Sequence, residues 1–185
     1  MADLGLADKV VVLHQALDAA GIAHAFGGAL ALAYYAEPRA TIDIDVNLFV
    51  DPSRYGDVLG VLEPLGIGQA PAEDAVLAEG QGRLWWGRNP VDLFFAYHGV
   101  HEAMRERARV VPFGDSDIPI IAPEHLLTAK VLFNRTKDWV DIEQMLVTVP
   151  ALDMAEAWLW LHEFLPPDDE RLEHLEQVQR DLLAS

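Results

Sequence analysis

The sequence predicts an α+β fold, in which a mixed β-sheet is flanked by helices and followed by a helical C-terminal part. Short strand-like segments and helical segments are interleaved before residue 122, whereas only helical patterns occur after it. The chain of 185 residues is long enough for one real core with a helical addition. We therefore expect an α/β core over residues 1–122 and a helical region over residues 123–185 that packs on it.

Each predicted element follows from a local pattern. Apolar residues at helical spacing predict a first helix over residues 7–20, strong helix formers predict one over 29–35, and Ser53 can cap a helix that ends at Leu65. The predicted strands are residues 22–26, 41–50, 84–86, 91–95, 109–113 and 118–121. The predicted C-terminal helices are residues 124–134, 137–147, 154–164 and 168–183.

Composition excludes several classes of protein. No apolar run approaches the roughly 20 residues that a membrane-spanning helix needs. The chain has no cysteine, so it has neither disulfide bonds nor a thiolate metal site, and its first residues lack the basic start of a secretory signal. We therefore expect a cytoplasmic protein without membrane contact.

The net charge of −17 disfavours a surface that wraps nucleic acid, because phosphate contacts from lysine and arginine dominate that affinity. The charge is uneven along the chain. Residues 83–109 include five arginines, and residues 163–181 include seven acids. We expect the acidic tail to be solvated surface, while the arginine-rich stretch could form a local positive patch.

Two aspartates within one predicted strand are the first indication of a functional site. Asp43 and Asp45 alternate with Ile42, Ile44 and Val46, so both carboxylates are expected on one face and the apolar residues in the core. Neighbouring carboxylates repel each other and are costly to desolvate. A divalent cation, Mg²⁺ or Mn²⁺, would supply the missing positive charge.

Two glycines precede this strand. Gly27 and Gly28 stand where an apolar strand-like segment changes to a helix-forming one. Backbone N–H groups at such a turn can hold phosphate, and glycine leaves no side chain in the way. A phosphate cradle followed by metal-binding carboxylates predicts a nucleotide site.

A third acid lies in a later strand. Asp92 stands between Val91 and Leu93 in an apolar segment, so its carboxylate is expected on the opposite face from theirs. A two-metal site for phosphoryl transfer needs such a third carboxylate. The alternative is an ordinary edge-strand aspartate that faces water.

Together these residues resemble the DNA polymerase β-type nucleotidyltransferase superfamily, and within it the AbiEii and MenT toxins with their small relatives. The resemblance lies in residues 27–29 (GGA), residues 38–45 (PRATIDID), residues 123–130 (PEHLLTAK) and residues 135–142 (RTKDWVDI). It covers about residues 22–146. Gly28 stands where many relatives have a serine, and 14 residues separate it from Asp43, slightly more than is usual.

The resemblance implies an enzyme that transfers a nucleoside monophosphate from an NTP to a hydroxyl, with Mg²⁺ or Mn²⁺ as cofactor. It implies a nucleotidyltransferase-like mixed sheet as the catalytic core. The implied catalytic and metal-binding residues are Asp43, Asp45 and Asp92. The implied nucleotide-binding residues are Gly27, Gly28, Arg39, Thr41 and Lys130.

Two of these cations have a second interpretation. Lys130 could meet the triphosphate, but it could equally be a surface lysine whose stem covers apolar residues. Arg39 could bind phosphate or neutralise the acids. Trp85 and Trp86 alternate along a strand, so we expect one in the core, and the other could stack on a base.

The acceptor stays open at this stage. A small molecule such as an aminoglycoside-like drug, a protein hydroxyl and the 3′ end of a tRNA are all compatible with the resemblance. A toxin would also have a cognate antitoxin as partner. Two alternatives to this enzyme are a catalytically silent interaction module of the same fold and a metal-dependent glycosyltransferase that uses Asp-x-Asp.

Overall fold

A computed structural model describes residues 4–184 of the chain. Residues 1–3, on which part of the secretory-signal expectation rests, and Ser185 lie outside the described residues. The helices are α1 (Leu6–Ala19), α2 (Gly28–Leu32), α3 (Tyr55–Leu62), α4 (Glu73–Glu79), α5 (Gly99–Arg107), α6 (Pro123–Phe133), α7 (Thr136–Thr148), α8 (Met154–Phe164) and α9 (Glu170–Leu183). The strands are β1 (His24–Phe26), β2 (Ile44–Leu48), β3 (Ile67–Gly68), β4 (Gln81–Trp86), β5 (Asn89–Phe95), β6 (Arg109–Phe113) and β7 (Ser116–Ile120).

The described residues form two compact units. The first comprises the chain up to Leu30 together with Ala40–Ile121, and the second comprises Ala31–Arg39 together with the chain from Ala122 onwards. The first unit contains a seven-stranded sheet of order β3-β4-β5-β2-β1-β7-β6. In it β2 pairs in parallel with β5 and β1 with β7, while the other neighbours are antiparallel. The predicted α+β fold with a mixed sheet is confirmed.

Alternation along the central strands gives this sheet one apolar face. Ile44, Val46 and Leu48 of β2 are fully buried, as are the apolar residues at alternate positions of β5. Val91, Leu93 and Phe95 are those residues of β5. Because successive side chains of a strand point to opposite faces, the residues between them line the second face, which carries the acids.

The second unit is helical. Helix α6 contacts α7, α8 and α9, and α7 also contacts α9. Its core consists of buried apolar side chains from these four helices, among them Leu127, Ile142, Leu161 and Leu175. The four predicted C-terminal helices are confirmed, and the bounds of α8 agree with the predicted ones.

The structure corrects several predicted bounds. The predicted strand over residues 41–50 is β2 alone, so Asp43 lies just before the strand, and Ile42 is 58% exposed and not in the core. The carboxylate of Asp51, and not Ser53, caps the short 3₁₀ turn that leads into α3. Helices α4 and α5 and strand β3 were not predicted. Helix α5 has His98 as its N-cap, where Ser, Thr, Asp or Asn is usual, so the sequence carried no ordinary start signal for it.

Within residues 4–184, no helix combines the length and the apolar character that crossing a bilayer requires.

Candidate active site

The register of the sheet aligns the predicted site residues of the first unit. Asp45 of β2 stands opposite Asp92 of β5, and Asp92 stands opposite Arg83 of β4. On the other side of β2, the N–H of Gly27 donates to the carbonyl oxygen of Asp45 at 2.9 Å. Residues paired across neighbouring strands share a face. One row therefore runs from Gly27 through Asp45 and Asp92 to Arg83, and we call it the site row.

Asp43 stands beside this row, two residues before Asp45. The backbone N–H of Asp43 donates to Oγ1 of Thr41 at 3.1 Å. This local bond fixes the turn that leads into β2 and so orients the Asp43 segment. Thr41, predicted as a nucleotide-binding residue, thus has an observed contact that positions a carboxylate.

A buried lysine and an asparagine also hold the segment that precedes β2. Nζ of Lys9 in α1 donates to Oδ1 of Asn89 at 2.8 Å and to the carbonyl oxygen of Trp86 at 3.0 Å. Nδ2 of Asn89 in turn donates to the carbonyl oxygen of Ile42 at 2.9 Å. Lys9 and Asn89 are both buried, so these bonds are shielded from competing water. They tie the residue before Asp43 to the turn of the β4-β5 hairpin.

Gly28 lies against the carboxylate of Asp45. Its φ of +53° belongs to the left-handed region that favours glycine. A Cβ built at this position would overlap the Asp45 carboxylate and come within 2.5 Å of its Cγ. A serine, which the resemblance suggests for position 28, cannot stand there without moving Asp45. The glycine is therefore required by the acid that it faces.

The structure limits the predicted phosphate-binding role of Gly27. Its N–H is already used in the bond to the Asp45 carbonyl oxygen, so it cannot also donate to phosphate. A Cβ on Gly27 would stand 2.9 Å from Nδ2 of Asn47, which explains the glycine by close packing. The first N–H groups of a helix have no acceptor within it. Gly28, the first residue of α2, therefore offers the more suitable donor.

Arg83 forms a bidentate ion pair with Asp92. Its Nε and Nη2 donate to the two carboxylate oxygens at 2.6 and 2.7 Å. The Asp92 side chain is only 15% exposed, while that of Arg83 is 56% exposed. The pKa of Arg83 is raised above its ordinary value, chiefly by these hydrogen bonds, and the charges of Asp43 and Asp45 add to the rise. The guanidinium therefore lies in the field of all three predicted metal ligands.

The three acids have the chemistry of a magnesium site without its finished arrangement. Carboxylate oxygens are the ligands that Mg²⁺ prefers, and the space that a side chain at Gly28 would take is occupied by the Asp45 carboxylate. Among residues 4–184, however, no three His, Asp or Glu side chains are arranged so that they could hold a metal ion. Asp92 is instead engaged by Arg83. The oxygen donors are of the type that suits a divalent cation, and Asp92 would have to be released from Arg83 to take part in holding one.

The other two predicted nucleotide-binding residues belong to the second unit, where both contact Asp141. Nζ of Lys130 is 2.5 Å from Oδ2 of Asp141 and 3.6 Å from Oδ1 of Asp138. Nε of Arg39 donates to the same Asp141 oxygen at 3.2 Å. Lys130 is 3% exposed, so its interpretation as a surface lysine is wrong.

Asp138 completes this cluster. Burial alone raises the pKa of its carboxyl, but hydrogen bonds from Arg135 and the charges of Arg135 and Lys130 outweigh burial, so the pKa is lowered overall. The carboxylate thus stays ionised beside Lys130 although it is fully buried. The two acids hold the lysine ammonium in a fixed place.

The two tryptophans of β4 divide as expected. Trp86 is 8% exposed and belongs to the core. Trp85 is half-buried, and its register partner is Pro90, two residues before Asp92. Since Trp85 and Arg83 are two residues apart, Trp85 lies on the face of the site row.

The sequence reasoning missed Arg83, Lys9 and Asn89. The length of the turn between β4 and β5 could have identified Arg83 as the partner of Asp92. A two-residue turn at Gly87 and Arg88 pairs Arg83 with Asp92, whereas the four-residue turn assumed from the sequence would pair Trp85 with Asp92. The signal for Lys9 was a charge beside the apolar stripe of α1, and such a charge is usually solvent-exposed.

Comparison with solved structures shows which fold this is. The chain is similar to the antibiotic-resistance factor ANT(2″)-Ia, with 14% identity, a TM-score of 0.55, and coverage of 97% of this chain and 94% of the other. It is similar to a nucleotidyltransferase-like protein from Paracoccidioides brasiliensis, with 18% identity, a TM-score of 0.56 and coverage of 92% of each chain. It is also similar to the lincosamide adenylyltransferase LnuA, with 14% identity, a TM-score of 0.54, and coverage of 76% and 96%.

No known family pattern and no curated protein matches the sequence. At identities below one fifth, the structural similarities establish the fold and nothing finer. The chain therefore has the fold of nucleotidyltransferases, as the resemblance implied. A closer relation to the AbiEii and MenT toxins stays a prediction.

Proposed function

We propose that the protein is a nucleotidyltransferase with residues 1–122 as its catalytic core. It would move a nucleoside monophosphate from an NTP to an acceptor hydroxyl. A bond forms between the acceptor oxygen and the α-phosphorus, the bond to the β-phosphate oxygen breaks, and pyrophosphate leaves. The observation that carries this proposal is the site row, which places Asp45 beside Asp92 on a nucleotidyltransferase fold.

Asp43, Asp45 and Asp92 would hold Mg²⁺ or Mn²⁺. The bound cation would neutralise phosphate charge and lower the pKa of an attacking hydroxyl. The carboxylate of Asp92, which lies farther from Gly27 along the row than Asp45 does, would accept the proton of the hydroxyl as it attacks in line with the leaving pyrophosphate.

The remaining predicted residues would position the nucleotide. Gly28 would present its N–H to the β- and γ-phosphates, and Gly27 would allow the close approach of Asn47. Thr41 would hold the Asp43 segment. For Lys130 and Arg39, which share Asp141, the role of offsetting triphosphate charge stays a prediction of the resemblance. Such catalysis depends mainly on positioning and charge neutralisation.

We propose a hydroxyl-bearing small molecule as the acceptor. A structure of ANT(2″)-Ia contains adenylyl-2″-tobramycin, and LnuA binds lincomycin. The net charge of −17 supports a cationic small molecule and disfavours tRNA. Since NTP is a cytoplasmic metabolite, this function supports the cytoplasmic location expected from the sequence.

A toxin that modifies tRNA, with a cognate antitoxin as its partner, is the second candidate for the same chemistry. The motif resemblance favours it, while the charge disfavours it. A silent interaction module is favoured by one observation, the ion pair that engages Asp92. In a silent module this pair would be permanent, and no divalent cation would bind.

The test is transfer of label from each of the four α-labelled NTPs to aminoglycosides, lincosamides or total tRNA, with Mg²⁺, Mn²⁺ or EDTA. We expect label in one acceptor class only with a divalent cation. Asp92→Asn should abolish transfer. Asp117→Asn removes the same charge from an exposed position of β7 and should not change it. Failure of every NTP with every acceptor, or equal loss in both variants, would contradict the proposal.

A further inference from the structure

The ion pair between Arg83 and Asp92 is unusually well built for its position. An exposed pair between a single amine and a carboxylate contributes little, but a bidentate fork on a half-shielded carboxylate is stronger and more specific. Both carboxylate oxygens of Asp92 accept from Arg83, and the strand register holds the two residues directly opposite each other. Both oxygens of Asp92 thus already accept from a cation that the chain itself supplies.

The same carboxylate is the third ligand in the proposed metal site. A divalent cation bound at Asp92 and a guanidinium on the same two oxygens would repel each other, and a cation that approaches from the side of Arg83 would compete for the lone pairs that Arg83 uses. Both cannot hold Asp92 fully. The geometry of the site row therefore implies an exchange between two cations.

We propose that Arg83 is the resident counter-ion of Asp92 in the metal-free protein, and that the divalent cation must displace it to bind. This inference rests on the proposed function. Arg83 is then a positioning residue, since it would act on the bound cation through Asp92. It reduces the repulsion among the acids while the site is empty, and it lowers the affinity of the site for a divalent cation.

The surroundings of Arg83 allow this exchange. Its side chain is 56% exposed, so the displaced guanidinium can be solvated without disturbing the core. Asp92 moves little in an exchange of partners, because β5 is paired on both sides, with β2 and with β4. The released guanidinium would stay on β4, on the side of Asp92 that lies away from Gly27.

The test is calorimetric titration of Mn²⁺ into the full chain without nucleotide or acceptor. A single charge within a few ångströms changes the proton affinity of a carboxyl about tenfold or more. We therefore expect Arg83→Gln to bind Mn²⁺ at least about tenfold more tightly than the wild type, by the same electrostatics. Arg83→Lys keeps the charge but loses the bidentate fork, so its Mn²⁺ affinity should lie between those of the wild type and Arg83→Gln.

Arg88→Gln is the matched control. Arg88 is exposed in the turn of the same hairpin, so this variant removes the same charge without touching Asp92. We expect its Mn²⁺ affinity to stay close to that of the wild type and to depend on salt. Thermal melts of all variants check that each is folded.

The outcomes separate this inference from the proposed function. If the wild type transfers nucleotide with Mg²⁺ but Arg83→Gln and Arg88→Gln bind Mn²⁺ equally, the inference alone is wrong. If neither the wild type nor Arg83→Gln binds Mn²⁺ and no transfer occurs, both are wrong. A tighter Arg83→Gln, with crystals soaked in Mn²⁺ showing the Arg83–Asp92 fork broken, supports the exchange.

Discussion

Replacing Gly28 by alanine is the sharpest test of the site geometry, because one methyl group acts in two separable ways. Gly28 has a φ of +53°, which is costly for any residue with a Cβ. The new Cβ would also overlap the Asp45 carboxylate, with the Asp45 Cγ 2.5 Å and its Cβ 3.1 Å away. The first effect concerns stability, and the second concerns the proposed metal ligand.

The backbone effect lowers stability, and the overlap with Asp45 lowers kcat/KM. A left-handed backbone costs a non-glycine residue about 1–2 kcal/mol. For a chain of this size, each kcal/mol lowers Tm by about 2–4 °C. The clash must be relieved by rotation of the Asp45 side chain, since the backbone of Asp45 is held by β5 and by Gly27. Displacement of a reacting group by about 1 Å can cost about a hundredfold in rate, so we expect a loss of that order in kcat/KM.

Gly21→Ala separates the two effects. Gly21 has a similar φ of +66°, but a Cβ there would meet nothing within 4 Å. Gly28→Ala should therefore lose at least as much stability as Gly21→Ala in a thermal melt, while only Gly28→Ala should lose nucleotide transfer and Mn²⁺ affinity. If Gly28→Ala transfers nucleotide as well as Gly21→Ala, then Asp45 is not held at the catalytic position by this contact.

Three further predictions concern other groups. Asp45→Asn should abolish transfer and divalent-dependent NTP binding in calorimetry, yet raise or preserve Tm without metal, because one of the repelling charges is removed; a lower metal-free Tm would contradict this. The pKa of His24 is lowered, chiefly by burial, so below its usual 6.5 the unfolded chain takes up a proton that the folded chain does not. The free energy of unfolding should therefore fall as pH drops from about 6.5 through the folded pKa, and urea titrations should show a smaller fall for His24→Gln. Lys9→Met should lower the free energy of unfolding by about 1–3 kcal/mol, because it leaves two buried acceptors without their donor. The exposed control Lys137→Met should lower it by almost nothing. Equal urea midpoints for the two variants would contradict a stabilising role of the Lys9 bonds.

The strands that contain Asp45 and Asp92 could be predicted from the sequence, because the alternation of apolar and polar residues along a strand is a local property. The apolar neighbours of Asp45 and Asp92 are buried as expected, so both aspartates had to face the other side of the sheet. Asp43 was placed on the same strand, but β2 begins only at Ile44, because the segment before it is held by Thr41 and Asn89 instead of by a strand partner.

The sequence could not predict what those acids contact. The partner of Asp92 depends on the hairpin turn, where a difference of two residues in the loop changes the paired residue from Arg83 to Trp85. Pro90 obscured that turn, since proline is unusual inside a strand. The structure tolerates it because β2 begins to pair with β5 only at Val91, one residue later.

The burial of two lysines was also not predictable from the sequence. A lysine in an amphipathic helix is normally taken as exposed, because burying an unpaired ammonium is costly. Lys9 and Lys130 are both buried, and each is compensated by a partner on another element, Asn89 of β5 and Asp141 of α7 respectively. Compensation between elements leaves no pattern within one helix, so it becomes visible only in the folded structure.

The charges of the site row and of Asp43 beside it explain how an acidic cluster can persist in the folded chain without a metal ion. Three carboxylates and one guanidinium leave a formal charge of −2 among Asp43, Asp45, Asp92 and Arg83, compared with −3 without the arginine. The smaller excess costs less to desolvate, so the empty site is compatible with a stable sheet. In the proposed reaction a divalent cation would bring enough charge to replace what Arg83 supplied, and the triphosphate would bring negative charge that a second cation would balance. Stability of the empty site and affinity for the loaded one are thus opposed at a single residue, Arg83.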